Sequence, residues 1–461
     1  MPRKDFTIVR DTFANDDGLP FGRLLKREHV LNVLEEEGHQ YRQRVFCPLV
    51  TLWAWLSQSL SQDKSLNEAV SRILAFRVAN GLPACSASSA SYADARSRFP
   101  LPVLMRLTKE IGRNVHNNAD DSWQWRGREV FMADGTTLSM PDTEENQLVF
   151  PQIKTVRRGL GFPIMRAVTL ISLSTGAVVD FAGGPFEGKG TGEGALLRQM
   201  LDTLSRGNVL VADRYYPSYR TLSALLPRGI DLVSISNATR NVDFTDGFQL
   251  GETDHIVEWK KPSRPPGITD EEFAMFPETI RVREFIIEIE KREGGTEPAI
   301  VVTTVTDPSV PQDDISALYW RRWNCELDLR SIKSSMHMDI LRGKTPEMVR
   351  KEIFAHLLAY NLLRGTMTES AKRSGLHPRL LSVKGAMQAI ESFSPLIMMA
   401  PESGEVLYNA LLTTVSTHRV GKRPGRIEPR VKKRRDPWAK CKMKKPRNEY
   451  RRRLASGDSL T

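Results

Sequence analysis

The chain reads as a mixed α/β protein, and three features of the sequence predict it. Apolar residues recur at helical spacing over the first hundred or so positions. Short apolar runs of strand length begin near residue 128 and alternate with helical segments. A helix-like segment from Ile315 to Met336 closes the series. At 461 residues the chain exceeds one compact core, so two to four domains are expected.

Residues 24–125 read as helical. Tyr41 to Leu60 is an amphipathic run with a turn near Pro48. Ser65-Leu-Asn-Glu68 is a capping box, followed by the stripe Leu66, Val70, Ile73 and Leu74, and Gly81 ends that helix. A short segment, Tyr92 to Phe99, offers Arg96 and Arg98 and stops before Pro100. Small helical units with exposed arginines can dock on DNA, and an ordinary helical bundle has the same pattern.

The strands follow. Val130 to Ala133 runs into Asp134-Gly-Thr. Ile164 to Leu173 and Ala177 to Phe181 flank the turn signal Ser174-Thr-Gly176. Ala195 to Leu204 reads as a helix, Asn208 to Asp213 as a buried strand ending in an acid, Ser218 to Leu226 as a helix, and Asp231 to Ile235 as a strand. An interruption of Gly- and Pro-rich stretches follows, with strand-like runs at Arg281 to Ile289 and Ala299 to Val305. A three-strand meander followed by helix, strand, helix and strand is the order of a ribonuclease-H-like fold. The expected domains are a helical DNA-binding region (1–125), a ribonuclease-H-like core (126–235 and 314–400), a β-rich insertion (236–313), and a C-terminal region with a basic tail (401–461).

Composition narrows the class. With 40% hydrophobic and 26% charged residues the chain is globular. It has no run of 18 apolar residues, and Met1-Pro-Arg-Lys-Asp5 carries no apolar leader, so no membrane span or export signal is expected. Cys47, Cys85, Cys325 and Cys441 lie far apart with no CxxC pair, which excludes a local zinc ribbon and points to a reducing cytoplasm. The net charge is +11 but unevenly placed: residues 419–453 hold 17 Lys and Arg against Glu428, Asp436 and Glu449, so the rest is slightly acidic. That tail has the footprint of a polyanion binder, though a solubilising tail would carry the same charge.

Asp134 and Asp213 end strands that lie side by side in this order, so both carboxylates are expected at one sheet edge. The helix after the insertion can bring Glu326 to them. Carboxylates so placed can bracket Mg²⁺, and a metal pair about 4 Å apart clamps the attacking and leaving oxygens of an in-line phosphoryl displacement. Taken one at a time, Asp134-Gly is a common turn dipeptide and Asp213-Arg a common strand-end pair. The segment from Tyr319 to Lys333 adds a second signal. On an unbroken helix, Tyr319, Arg322, Glu326, Arg330 and Lys333 fall within an arc of roughly 80°. One carboxylate then stands among three cations suited to phosphate. A solvated face with an Arg322–Glu326 pair is the plain alternative.

These residues resemble the IS4-family bacterial DDE transposases, over nearly the whole chain. Ala133-Asp134-Gly135-Thr136 and Val211-Ala212-Asp213-Arg214 look like the family's two aspartate motifs, and Tyr319, Arg322, Glu326 and Lys333 match its signature without a gap. Tyr41 to Phe46, Tyr92 to Arg96, Gly251 to Asp254 and Arg426 to Arg435 also look like family segments. The resemblance implies cleavage at transposon ends dependent on Mg²⁺, with Mn²⁺ a possible substitute, and strand transfer of the freed 3′-hydroxyl into target DNA. Asp134, Asp213 and Glu326 would be the catalytic metal ligands. Arg322 and Lys333 would hold phosphates, with Tyr319 orienting a phosphate or base and Arg330 a further contact. Family members can form DNA hairpins and hold a flipped base. Trp259, the only tryptophan of the insertion, beside Lys260 and Lys261, would serve on a DNA-facing loop. The implied partners are double-stranded DNA, as terminal inverted repeats and target, and a second copy in the synaptic complex, in a bacterial cytoplasm at the nucleoid. Two rivals are a non-catalytic DNA-binding regulator or transposition inhibitor, for which clustered carboxylates near phosphates bring no gain, and a simple ribonuclease-H-like nuclease, which needs neither the insertion nor the tail.

Overall fold

A computed structural model describes residues 21–42, 44–236, 242–265, 267–290, 295–421 and 447–456. Most of the basic tail, residues 422–446, lies outside the described residues, and with it the segment Arg426 to Arg435.

The meander forms as expected. Strands β1 (Val130–Ser139), β2 (Ile164–Ser172) and β3 (Val178–Pro185) are antiparallel. Gly176 turns β2 into β3 at φ +79°, a conformation that favours glycine. Strands β4 (Val209–Ala212) and β5 (Asp231–Ile235) then run parallel to β1. All four residues of β4 are buried, as a strand covered on both faces requires. The insertion supplies β6 (Phe248–Gly251), β7 (Asp254–Lys260), β8 (Thr279–Glu290) and β9 (Thr296–Thr303). These strands continue the same sheet: β9 pairs with β5 from Val233↔Thr303 to Ile235↔Val301, giving the order β3-β2-β1-β4-β5-β9-β8-β7-β6. The insertion thus extends the central sheet directly.

Among the described residues five α-helices precede the sheet: α1 (Arg27–Glu36), α2 (Pro48–Leu60), α3 (Leu66–Ala79), α4 (Ala90–Arg98) and α5 (Leu101–Asn117). Pro48 sits at the first turn of α2, where its missing N–H costs nothing, so the expected run from Tyr41 is helical only from residue 48. Half of the capping box forms: Ser65 Oγ accepts from the Glu68 amide at 3.2 Å, while the Ser65 amide donates to Asp63 Oδ1 at 2.8 Å instead of to Glu68. Short helices α6 (Glu144–Val149), α7 (Glu193–Arg198), α8 (Tyr219–Leu225) and α9 (Asp270–Ala274) interrupt the strands. Then come α10 (Gln312–Trp320), α11 (Trp323–Arg330), α12 (Pro346–Arg373), α13 (Val383–Met399), α14 (Gly404–Thr417) and α15 (Arg447–Ser456).

Helix α12 is the axis of the molecule. Its residues from Ile353 to Leu363 are buried on every side, between the sheet and the N-terminal helices. Asn361 fastens the three layers: its side chain accepts from the Val178 amide and donates to the Val178 and Thr108 carbonyls, at 2.8–3.0 Å. Gly112 lets α5 approach the sheet closely, since a Cβ there would stand 2.2 Å from the Val178 carbonyl oxygen. One apolar core fills this face of the sheet, and a second lies on the opposite face under α7 and α8. Among the described residues no helix is long and apolar enough to cross a membrane.

Two expectations change. Asp134 lies inside β1 rather than at its end, because β1 continues to Ser139 against β2 after its pairing with β4 stops at Ala133↔Ala212. The helix expected from Ile315 to Met336 is two helices and a π turn. Amides of Arg321, Arg322, Asn324 and Cys325 bond carbonyls three residues back, which tightens the chain between α10 and α11, and residues 331–335 then widen into the π turn. The unbroken arc of side chains is therefore replaced by a kinked one.

Candidate active site

The two aspartates meet because the sheet's pairing ends there. Asp134 and Asp213 are the next residues after the last β1–β4 pair, Ala133↔Ala212. Each is turned by its own backbone: Asp134 Oδ1 accepts from the Gly135 amide at 2.8 Å, and Asp213 Oδ1 from the Arg214 amide at 2.7 Å. Along β1, side chains alternate between faces. Asp134 shares the face of buried Met132 and Leu138, and α11 packs on that face with Cys325 buried against it. The next residue, Glu326, is thereby delivered to the aspartates.

Arg322 stands among the three acids. Its Nη2 donates to Glu326 Oε1 at 2.9 Å. Burial disfavours its charge, but Tyr319, Asp213, Glu326 and Asp134 outweigh burial and hold the guanidinium more firmly cationic than usual. Asp134 shows the converse. Burial pushes its carboxyl up to about 6; Arg322 and the Gly135 amide oppose the shift, and Asp213 and Glu326 add to it. Asp213 and Glu326 are therefore close enough to act on Asp134.

Among the described residues no three His, Cys, Asp or Glu side chains are arranged to hold one metal ion. The Glu326 carboxylate is engaged by Arg322 instead. The donors themselves suit a hard divalent cation, being carboxylate oxygens from three separate elements. A further sign is Thr169, paired directly with Asp134 across β1 and β2 on the same face. Its hydroxyl is fully buried and has no hydrogen-bond partner among the described residues, an orphan that a hydrated cation can satisfy.

The other expected residues divide. Tyr319 is buried, with the Arg322 guanidinium carbon over its ring, 5.9 Å from the centroid. Lys333 comes back to β1 through the π turn, its Nζ donating to Thr136 Oγ1 at 3.1 Å and the Thr137 carbonyl at 3.0 Å. Arg330 is exposed at the end of α11. Trp259 departs from expectation. It lies in β7 rather than on a loop, opposite Ile280 of β8. Its ring is buried, and Nε1 donates to Glu284 Oε1 at 3.3 Å. Strand alternation turns Glu258 and Lys260 outward and Trp259 into the core.

Sequence reasoning missed the supports. Asp328, two residues beyond Glu326, is buried and receives Arg379 Nη1 at 2.5 Å and the Tyr360 hydroxyl at 3.0 Å. Exposed Tyr215, Trp320 and Trp323 also lie next to named residues in sequence, a juxtaposition that was readable.

The family model for the transposase DDE domain matches residues 125–362, just over half of the chain, from the approach to β1 into α12. Transposase InsG for insertion sequence element IS4, from Escherichia coli K12, is 25% identical over 370 residues, covering 78% of this chain and 79% of that protein. The transposase for insertion sequence element IS421 of Escherichia coli is 43% identical over 60 residues, covering 12% of this chain and 16% of that one. A solved piggyBac transposase synaptic complex with hairpin DNA aligns with a TM-score of 0.44 at 10% identity, covering 90% of this chain and 87% of that chain. The matched span contains both aspartate motifs and Glu326, and the chain belongs to the IS4 family of DDE transposases.

Proposed function

We propose that this transposase cuts its element at the terminal inverted repeats and joins the freed 3′-hydroxyl to target DNA, with Asp134, Asp213 and Glu326 holding divalent cations, Mg²⁺ in the cell and Mn²⁺ as a substitute. The observation that carries this reading is the placement of three carboxylates, from β1, the end of β4 and α11, around one guanidinium. The cations, when bound, supply Lewis-acid activation of the attacking oxygen and charge neutralisation at the leaving one. The chain's own residues do the positioning. Arg322 exchanges Glu326 for a phosphate oxygen, and its planar fork suits two parallel bonds to phosphate. The Tyr319 hydroxyl keeps that guanidinium oriented. Lys333, anchored on Thr136 and Thr137 of the strand that carries Asp134, would offer its charge to a phosphate.

DNA reaches beyond the acids. Exposed Arg42 and Arg44, with His39 and Tyr41 from the connection between α1 and α2, and exposed Arg98 at the end of α4 surround a recess that suits backbone phosphates. Exposed rings at Tyr215, Trp320 and Trp323 suit base stacking. Arg330 and the basic tail add charge, and two ends held together imply two copies of the chain on DNA. Deleting 419–453 should weaken binding to all sequences and flatten the plot of log affinity against log salt by about 0.9 for each phosphate that the tail neutralises. An unchanged slope would make the tail a solubilising segment.

The central test is cleavage and strand transfer on paired end fragments with Mg²⁺, for the wild type, D134N, D213N and E326Q, alongside gel-shift binding. Loss of cleavage with binding kept supports the reading. Wild-type cleavage by any variant removes that residue from the site.

A further inference from the structure

A fourth carboxylate approaches this site from the other side of the sheet. Gly135 follows Asp134 in β1 and turns to the opposite face, where α7 packs against β2 and β3. Glu193 is the first residue of α7. A Cβ built on Gly135 would stand 2.3 Å from both the Glu193 carboxyl carbon and its Oε1. A Cβ there would push this carboxylate aside, and with glycine at 135 the glutamate lies over bare backbone one residue from Asp134.

The other surroundings of Glu193 do not neutralise it. It has no ion-pair partner among the described residues. Among the described residues its side chain takes one hydrogen bond, from the Tyr216 hydroxyl to Oε2, long at 3.4 Å. Tyr216 is itself buried, and its phenol feels both Glu193 and Asp134, which puts the two acids around one ring. A half-buried carboxylate with one neutral, distant donor is costly unless a cation completes it. On the Asp134 face, the buried Thr169 hydroxyl of β2 is a second polar group at this site without a partner among the described residues.

We propose that Glu193 is a fourth oxygen donor to the divalent-cation site, and that position 135 is glycine because a side chain there would displace it. This rests on the assignment of Asp134 as a metal ligand. Asp134 and Glu326 would then serve the site from one face of the sheet and Glu193 from the other.

The test uses the full-length protein and Mn²⁺ alone as probe, with affinity read from the paramagnetic resonance of free Mn²⁺ and folding from the melting temperature. E193Q keeps an acceptor for Tyr216 and removes the charge. It should weaken Mn²⁺ binding at least about tenfold, the scale on which changes around a metal site act. G135A should do the same by displacing the carboxylate, with E193D recovering part of the affinity. Unchanged Mn²⁺ affinity in E193Q overturns the proposal, even if melting drops, because Glu193 is then only a brace for Tyr216. Weakening in E193Q with none in G135A overturns the role given to glycine. D134N separates the two readings: if it leaves Mn²⁺ affinity intact, the metal-site assignment itself fails, whereas weakening in D134N but not in E193Q removes Glu193 alone.

Discussion

Glu326 and Asp328 stand two residues apart on α11, and the fold treats them oppositely. The Glu326 side chain is 34% exposed and has one ion-pair partner, Arg322, which is shared with two other acids. Asp328 is 4% exposed and surrounded by donors: Arg379 at 2.5 Å, Tyr360 at 3.0 Å, and Arg364 at 3.9 Å. Arg379 also donates to the carbonyls of Leu173 and Ser172, so this acid ties α11 to the β2–β3 turn. The insertion repeats the second pattern, with Asp254 held by Arg283 through two bonds in a buried pair. An acid saturated by protein donors is a fastener. An acid left with one shared cation can change partners, which holding a metal requires.

The comparison predicts opposite responses to mutation. The largest effect should come from the unsaturated set. E326Q, D134N and D213N should each lower single-turnover cleavage more than about a thousandfold, since metal ligation supplies several kcal/mol at the transition state. Melting should stay level or rise as like charges are relieved. A cleavage defect explained by unfolding would break the comparison on this side.

The saturated acid should show the reverse. R379A leaves a buried carboxylate without its main cation, and breaking such a pair costs about 3–5 kcal/mol. Urea unfolding of R379A checks this, and a loss below about 1 kcal/mol would mean that Asp328 is no fastener.

Acid titration sharpens the contrast. Asp134 is pushed up to about 6 from the usual aspartate value of 3.8, chiefly by burial. In the metal-free protein its protonated form favours the fold, and that contribution is lost as pH rises through this window. A cation must displace the same proton, so its binding strengthens as pH rises through about 6. The rise in melting temperature on adding Mg²⁺ should shrink between about pH 7 and pH 5 in the wild type, and this pH dependence should disappear in D134N. An identical pH profile in D134N would detach the effect from Asp134.

The smallest effect separates two roles of Arg322. R322K keeps the charge beside Glu326 and loses the planar fork. If Arg322 grips phosphate, cleavage should fall by about tenfold, one hydrogen bond's worth to a charged group, with melting unchanged. A silent R322K would leave Arg322 as a helix brace only.

Much of the fold was legible because it depends on local rules. Turn signals at Gly176, the capping box at Ser65 and strand-length apolar runs marked out the meander and its parallel continuation, and the order of strands placed Asp134 and Asp213 together. The insertion's strands β8 and β9 were legible too, but not their union with β5, since a strand's alternation does not say which edge it joins. Trp259 was misplaced for a related reason: neighbouring lysines suggested a loop, while the period of two that buries the indole shows only once its strand is known. The break between α10 and α11 carries no Pro or Gly, so the sequence offered no sign of it.

The sequence by itself determined the element order, the acids that end up at the sheet's centre, and the basic tail, because periodicity, turn chemistry and charge are written residue by residue. Only the tertiary structure decided what each acid meets. Long-range packing brings Glu193 over Gly135, Arg379 under Asp328 and Arg322 among three carboxylates. Whether a charge is saturated or left available depends on partners far away along the chain, as Asp134 and Glu326 are from each other, and no local rule encodes which distant side chain will arrive.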